Sequence, residues 1–134
     1  MADARDFRRR QANERRGRLA EHIAAIWLIA KGYRLLDRRL KTPGGEIDLL
    51  LRHRDTLVFV EVKARSSESW TRPAAAVNAA KQRRIVATAR EYVRMLPDEE
   101  VPTRFDIVEV LLDEGRVGEV RHQPNAFAPA RSHR

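Results

Sequence analysis

The chain has 134 residues, which suits a single domain with a modest hydrophobic core. It has no cysteine and no apolar run near the ~20 residues that cross a bilayer, so we expect a cytoplasmic protein without disulfides, thiolate metal sites or a membrane partner. Lys and Arg number 27 against 19 Asp and Glu, and the resulting net charge of +8 favours nucleic acid as the partner.

The N-terminal segment is predicted to be a basic flexible arm over residues 1–13. It lacks an apolar period, and residues 5–18 carry seven arginines against two acidic residues. The single domain would then span residues 14–122, with a loose tail over residues 123–134. The arm residues expected to contact nucleic acid are Arg8, Arg9 and Arg10.

A first helix is predicted from about Gly17 to Lys31, where apolar residues recur with the spacing of one helix face. Gly32 is expected to end it. The stripe expected to face the core is Leu19, Ile23, Ile26, Trp27 and Ala30.

The rest of the chain alternates apolar runs with turn residues. A first strand is predicted over 33–41, a hairpin of strands over 46–52 and 57–64, a loop over 66–73, a helix over 74–96, a fourth strand over 104–112 and a short edge strand over 116–122. The stripe expected on the second helix is Val77, Ile85, Val86, Ala89, Tyr92 and Val93. These elements predict an α/β fold, with a mixed sheet of four to five strands flanked by helices.

The two hairpin strands carry charges inside otherwise apolar runs. Side chains alternate across a strand, so Ile47 and Leu49 are predicted to share one core-facing side, and Val60 and Val62 to do the same on the next strand. The hairpin would therefore bring three charged residues together on the face opposite the core, namely Asp48, Glu61 and Lys63.

Such a cluster indicates metal chemistry. Neighbouring carboxylates repel each other unless a cation neutralises them, and oxygen ligands without His or Cys favour Mg²⁺ or Mn²⁺. A bound metal polarises a phosphoryl oxygen and activates water, and a lysine beside it stabilises developing charge. The alternative is an exposed strand face with Glu/Lys pairs worth less than ~1 kcal/mol each. The flanking apolar residues and the basic chain favour phosphodiester hydrolysis.

Four segments of the chain, "GGEIDLLL", "LVFVEVKAR", "KQRRI" and "RFDIVEV", resemble the YraN family of predicted endonucleases over residues 14–112. That family is similar to archaeal Holliday-junction resolvases, within the PD-(D/E)XK restriction-endonuclease-like superfamily. The resemblance implies a restriction-endonuclease-like core, Mg²⁺ (or Mn²⁺) as the cofactor, and Asp48, Glu61 and Lys63 as catalytic residues. It also implies that the carbonyl of Val62 and the carboxylate of Glu21 reach the metal; for Glu21 the alternative is solvation of the first helix.

The sequence leaves open the roles of Glu46 and of a short basic segment of the second helix. Glu46 either hydrogen-bonds to the metal ligands, or is itself an outer metal ligand, or is a solvated acid near the turn. A phosphate-contacting helix segment is indicated by Lys81, Gln82, Arg83 and Arg84, with a solvated helix face as the alternative. Arg104 and Asp106 are predicted to form a structural ion pair.

The leading expectation is a metal-dependent endonuclease on DNA, including branched recombination or repair intermediates. The alternatives are a nucleic-acid-binding module with a nuclease fold and no cleavage, and a structural protein whose charges are incidental. The acid and lysine set favours the first, and a homodimer is left open.

Overall fold

The computed structural model describes residues 3–70 and 77–128. Its elements are α1 (Ala4–Ala30), β1 (Arg34–Thr42), β2 (Gly45–His53), β3 (Thr56–Arg65), α2 (Ser67–Trp70), α3 (Ala79–Arg94), β4 (Thr103–Asp113) and β5 (Arg116–Phe127). The strands form one sheet in the order β1-β2-β3-β4-β5, in which β3 and β4 run parallel and the other neighbours antiparallel. This confirms the predicted α/β fold, and the arrangement is consistent with a restriction-endonuclease-like core.

Helices cover both faces of the sheet. One core cluster joins α1 to strand residues such as Leu49, Val60 and Val108, and the other joins α3 to residues such as Leu50 and Phe59. All six members of the predicted stripe are buried or partly buried in the second cluster. The second helix begins at Ala79, and Val77 and Asn78 before it are not helical, so the predicted helix over 74–96 starts too early; residues 74–76 lie outside the described part. In the described parts of the chain, no helix is long and apolar enough to cross a membrane.

The first helix begins at Ala4 and not near Gly17 as predicted. Asp3 caps it, since its carboxylate accepts hydrogen bonds from the amides of Arg5 and Asp6 at 2.8 and 3.0 Å. The predicted irregular arm is therefore helical over residues 4–13. Arg, Ala, Gln and Glu are good helix formers, and the apolar period is missing because these turns are exposed and pack against nothing described.

The core face of α1 also differs from the predicted stripe. The residues of α1 in the core are Ala20, Ala24, Ala25 and Leu28. Ile23 and Trp27 are only partly buried, whereas Ala30 and two large members of the predicted stripe, Leu19 at 38% and Ile26 at 55%, are exposed. Small side chains allow the helix backbone to lie close to the sheet, so alanines occupy the positions that the pattern assigned to larger residues.

The last strand is longer than predicted. β5 continues to Phe127. The tail that was predicted to be loose from Gln123 is therefore a strand over residues 123–127. Phe127 pairs in register with Phe105, and their rings stack with centroids 5.2 Å apart. The amide of Asn125 donates to Asp106 Oδ1 at 2.9 Å. Residues 129–134 lie outside the described part.

Asp106 ties β4 and β5 to the end of α1 and confirms the predicted ion pair. It is fully buried and accepts from Arg104 Nε and Nη2 at 2.9 and 2.8 Å and from His122 Nε2 at 2.7 Å. Arg104 also donates to the Tyr33 hydroxyl at 2.6 Å. Burial on its own would raise the pKa of Asp106, but the hydrogen bonds from His122, Arg104 and the Asn125 amide outweigh it and lower that pKa. This network is structural.

Candidate active site

Asp48 lies where β2 departs from strict alternation. Ile47 packs in the α3 cluster and Leu49 in the α1 cluster, so the prediction that they share a face is wrong. The pairing of β2 with β3 runs from His53 only as far as Leu49, opposite Val60. Just beyond this last pair, the carboxylate of Asp48 accepts the Val62 amide hydrogen bond at 2.8 Å. The break in the ladder therefore turns the Asp48 carboxylate toward β3.

Glu61 is buried on the face of β3 that α3 covers, and its partner comes from that helix. Lys81, in the first turn of α3, places its Nζ 2.5 Å from Glu61 Oε1. Asn78 caps this turn by accepting from the Lys81 amide at 2.8 Å. The sequence indicates Lys81 as a phosphate contact, whereas the structure pairs its ammonium with a candidate catalytic acid.

Glu21 approaches the site from α1. Its Oε2 lies 3.1 Å from Arg39 Nε, and its side chain is only 15% exposed. Arg39 has a φ of 53°, a left-handed conformation that costs a residue other than glycine roughly 1–3 kcal/mol and that clusters at functional sites. No pattern in the sequence indicates a role for Arg39, which lies on β1 between Arg38, the partner of Leu49, and Leu40, the partner of Ile47.

The three acids are close enough to affect one another. The pKa of Asp48 is raised to about 7, first by burial, then by the charge of Glu61, with a smaller contribution from Glu21. The Val62 amide and the charge of Lys81 oppose the rise. Burial and the neighbouring charge of Glu61 thus disfavour the charged form of Asp48, and the hydrogen bond from the Val62 amide only partly offsets them.

Lys63 follows Glu61 by two residues on β3, in register with Glu109 on β4. It is half-buried and forms no hydrogen bond or ion pair with any residue that the structure describes. Val62 lies between Glu61 and Lys63, and its amide donates the hydrogen bond to Asp48. The structure thus brings Asp48 close to Glu61 at the open end of the β2–β3 ladder, and Lys63 follows Glu61 on the same strand.

The donor set suits Mg²⁺ or Mn²⁺, because it consists of oxygen ligands without His or Cys. Within residues 3–70 and 77–128, however, no group of three or more His, Asp or Glu side chains is arranged to hold a metal. Lys81 neutralises Glu61, and Arg39 neutralises Glu21. Lys81 occupies Oε1 of Glu61, so a metal would bind at that oxygen only if the ammonium moved aside.

A groove lined by acidic and basic side chains runs between α1 and the β1–β2 hairpin, past Glu21 and Arg39. Its basic lining residues include Arg18 and Lys41. Glu46 lies exposed along it, which favours the solvated alternative for this residue.

The remaining candidates for contact with nucleic acid lie on α3 and on the first turns of α1. Gln82 donates to the carbonyl of Val77 at 2.8 Å and so supports the start of α3. Arg83 and Arg84 are exposed on the same helix. Three others are exposed on the projecting turns of α1, namely Arg8, Arg9 and Arg10.

Comparison with known proteins relates the chain to one family. The model of "Uncharacterised protein family UPF0102" matches residues 20–110. A UPF0102 protein of Syntrophotalea carbinolica is 43% identical over 83% of this chain and 89% of its own. Another, of Symbiobacterium thermophilum, is 43% identical over 86% of this chain and 98% of its own. A third, of Chlorobium phaeobacteroides, is 40% identical over 83% and 92%. These names state no activity.

Proposed function

We propose that this chain, which belongs to the UPF0102 family, is a cytoplasmic, metal-dependent endonuclease of the PD-(D/E)XK type that hydrolyses phosphodiester bonds in DNA, including branched intermediates. The observation that carries the proposal is Asp48, whose pKa is raised to about 7 beside Glu61 at the open end of a strand pair. Buried acids held against their mutual repulsion destabilise the free protein, and such an arrangement is typical of sites that act on a ligand or substrate.

Each candidate residue has a chemical part in this proposal. Asp48 and Glu61 would hold the metal, with the Val62 carbonyl and Glu21 as further ligands. The metal, when bound, would supply Lewis acidity and a more acidic water. Lys63 would stabilise the charge that develops on the phosphate, because its ammonium is uncommitted within the described residues.

Lys81 would turn from Glu61 toward the DNA backbone when the metal takes its place. Its position on the first turn of α3, two residues before the exposed Arg83, supports this exchange. Lys81 would then contact a phosphate when the metal is bound, and it would pair with Glu61 when the site is free of metal.

A second candidate function is a nucleic-acid-binding module without cleavage. The pairing of Lys81 with Glu61 at 2.5 Å favours it, since a permanent ammonium there would replace the metal. In that case the basic chain would still bind DNA, and Mg²⁺ or Mn²⁺ would change nothing.

The proposal is tested by incubating the protein with fluorescent single-stranded, duplex, flap and four-way-junction DNAs. We expect products on at least one of these substrates with Mg²⁺ or Mn²⁺ and none with EDTA. Binding of the same DNAs without any metal-dependent product would instead support the binding module.

Metal binding should appear as a change in stability. In the folded protein the pKa of Asp48 is about 7, which lies above its ordinary value of 3.8. The contribution of Asp48 to the stability is therefore fully present below pH 3.8 and is lost as the pH rises through 7. We therefore expect Mn²⁺ to raise the melting temperature at pH 8 by binding the folded state. Asp48→Asn, which can still accept the Val62 hydrogen bond, should raise the melting temperature in EDTA at pH 8 and abolish the response to Mn²⁺. Equal metal responses of the wild type and the variant would contradict the proposed site.

DNA binding should depend on the basic turns of α1. Replacing Arg8, Arg9 and Arg10 together by Gln retains helix propensity, and we expect the slope of log K against log salt to fall by ~0.9 for each phosphate of duplex DNA that the variant no longer neutralises. The control removes the same charge elsewhere on the protein. It replaces by Gln three exposed residues of the β1–β2–β3 segment, Arg34, Arg52 and Arg54. The same slope in both variants would show that the α1 turns have no specific part in binding.

A further inference from the structure

A second charged cluster lies on the sheet face that carries Glu61, centred on Glu109. This residue is fully buried on β4 and accepts from Arg65 Nη1 at 2.5 Å, Arg121 Nη2 at 3.2 Å and Gln123 Nε2 at 3.4 Å. Two guanidinium groups thus share the carboxylate of Glu109. Arg121 is the more exposed of the two, with 32% of its side chain exposed against 12% for Arg65.

The cluster is aligned with the candidate active site. Lys63 on β3 pairs with Glu109 on β4, and Glu109 pairs with Arg121 on β5, so the three residues form one row across adjacent strands. Neighbouring strands lie ~4.8 Å apart, which places the strand of Arg121 ~10 Å from that of Lys63. A duplex DNA strand advances ~3.4 Å per nucleotide. A DNA strand with a phosphate at Lys63 would therefore reach Arg121 within a few nucleotides.

Trp70 stands over the outer end of this row. The guanidinium carbon of Arg121 lies 3.7 Å from the centre of its ring, and Arg121 Nη1 donates to the Trp70 carbonyl at 3.2 Å. The indole N–H donates to Glu119 at 3.0 Å, and Arg65 hydrogen-bonds to the carbonyl of Ser69. These contacts fix the orientation of the ring, yet Trp70 stays half-exposed. The site is a preoriented aromatic ring backed by a cation.

A purely structural role would be to cover the ion cluster, and two features argue against it. The ring is not buried. In addition, Arg121 Nε is buried and has no hydrogen-bond partner among the described residues, which costs about 1–3 kcal/mol. A well-packed apolar cluster would stabilise the fold better. A half-buried ring stacked on the guanidinium of Arg121 suits a ligand with both a π face and a negative charge, as a nucleotide has.

We infer that Trp70, backed by Arg121, stacks an unpaired nucleobase of the DNA strand whose phosphate lies at Lys63. The inference rests on the proposed function for its nucleic-acid partner and specifies the substrate class. Bases inside an intact duplex are stacked on their neighbours and cannot reach the ring, whereas flaps, junctions and single strands offer unpaired bases. The protein therefore prefers DNA with unpaired bases beside the phosphate that it cleaves.

The test uses Trp70 as its own reporter, in EDTA, so that neither metal nor cleavage is needed. Trp27→Phe leaves Trp70 as the sole tryptophan. Titration with oligo(dT) or a flap should quench its fluorescence, and a covalently closed circular duplex, which has neither ends nor loops, should not. Trp70→Ala should weaken binding of oligo(dT) by about 5- to 150-fold while changing the affinity for the closed circular duplex less than about 2-fold. Trp70→Phe, which keeps a ring, should restore most of the affinity.

Circular dichroism and melting curves establish that each variant is folded before it is titrated. If the wild type binds DNA but Trp70→Ala binds oligo(dT) equally well and the Trp70 signal stays constant, base stacking is wrong and the nuclease proposal is unaffected. A wild type that binds none of these DNAs overturns the proposed function and the stacking site together.

Discussion

Lys63→Ala is expected to lower the rate of DNA cleavage by ~10²–10³ while weakening DNA binding by no more than the share of one phosphate contact. A group that stabilises charge present only in the transition state affects the rate more than the affinity. Lys63 fits that role because it adjoins Glu61 and has no ion-pair partner within the described residues. Single-turnover rates at saturating protein, with dissociation constants measured in Ca²⁺ or EDTA, separate the two effects.

Two further variants sharpen this test. Lys63→Arg should restore little activity, because a planar guanidinium does not replace a compact ammonium beside a metal. Lys81 is unsuitable as the control, since it contacts Glu61. Arg83→Ala removes an exposed charge from the same helix and should weaken binding while leaving the single-turnover rate nearly unchanged. The same profile for Lys63→Ala and Arg83→Ala would make Lys63 a phosphate anchor and favour the binding module.

The second large effect concerns folding. Asp106→Ala is expected to lower the free energy of unfolding by ~3–5 kcal/mol at pH 7, because it leaves the charge of Arg104 and the His122 and Asn125 donors without their buried acceptor. Urea denaturation followed by circular dichroism measures the loss. The exposed Asp37→Ala, also on a strand, serves as the control and should stay within ~0.5 kcal/mol of the wild type.

The pH dependence of stability gives an independent check on Asp106. Its folded pKa is lowered, so its contribution is fully present above the unfolded value of 3.8 and is lost as pH falls through the folded value. The stability difference between the wild type and Asp106→Ala should therefore narrow below pH 3.8. A difference of less than ~1 kcal/mol at neutral pH would show that the network is dispensable.

Local patterns predicted the sheet and the second helix well. The apolar runs of β2, β3 and β4 are bounded by turn residues, and α3 repeats its apolar residues with a clear helical period. The first helix was harder, because its contact face consists largely of alanines and its exposed face carries Leu19 and Ile26. Hydrophobic size and burial disagree there, so only Ile23 and Trp27 of the predicted stripe pack against the core.

The candidate site was predicted only as far as neighbouring strands determine it. Alternation and a short hairpin bring Asp48 near Glu61, but they do not reveal the break in the ladder that turns Asp48 toward Val62. The pairing of Lys81 with Glu61 depends on how α3 packs after a crossover from β3 to β4, which local spacing does not encode. The extension of β5 likewise depends on a distant acceptor, Asp106.

The most direct measurement of the central claim compares DNA cleavage by the wild type and Asp48→Asn, purified side by side, with Mn²⁺ and with EDTA. The predicted result is metal-dependent product from the wild type and none from Asp48→Asn, although both bind the DNA with similar affinity. Equal cleavage by the two proteins, or no product from a wild type that binds both Mn²⁺ and every DNA tested, would contradict a nuclease centred on Asp48 and Glu61.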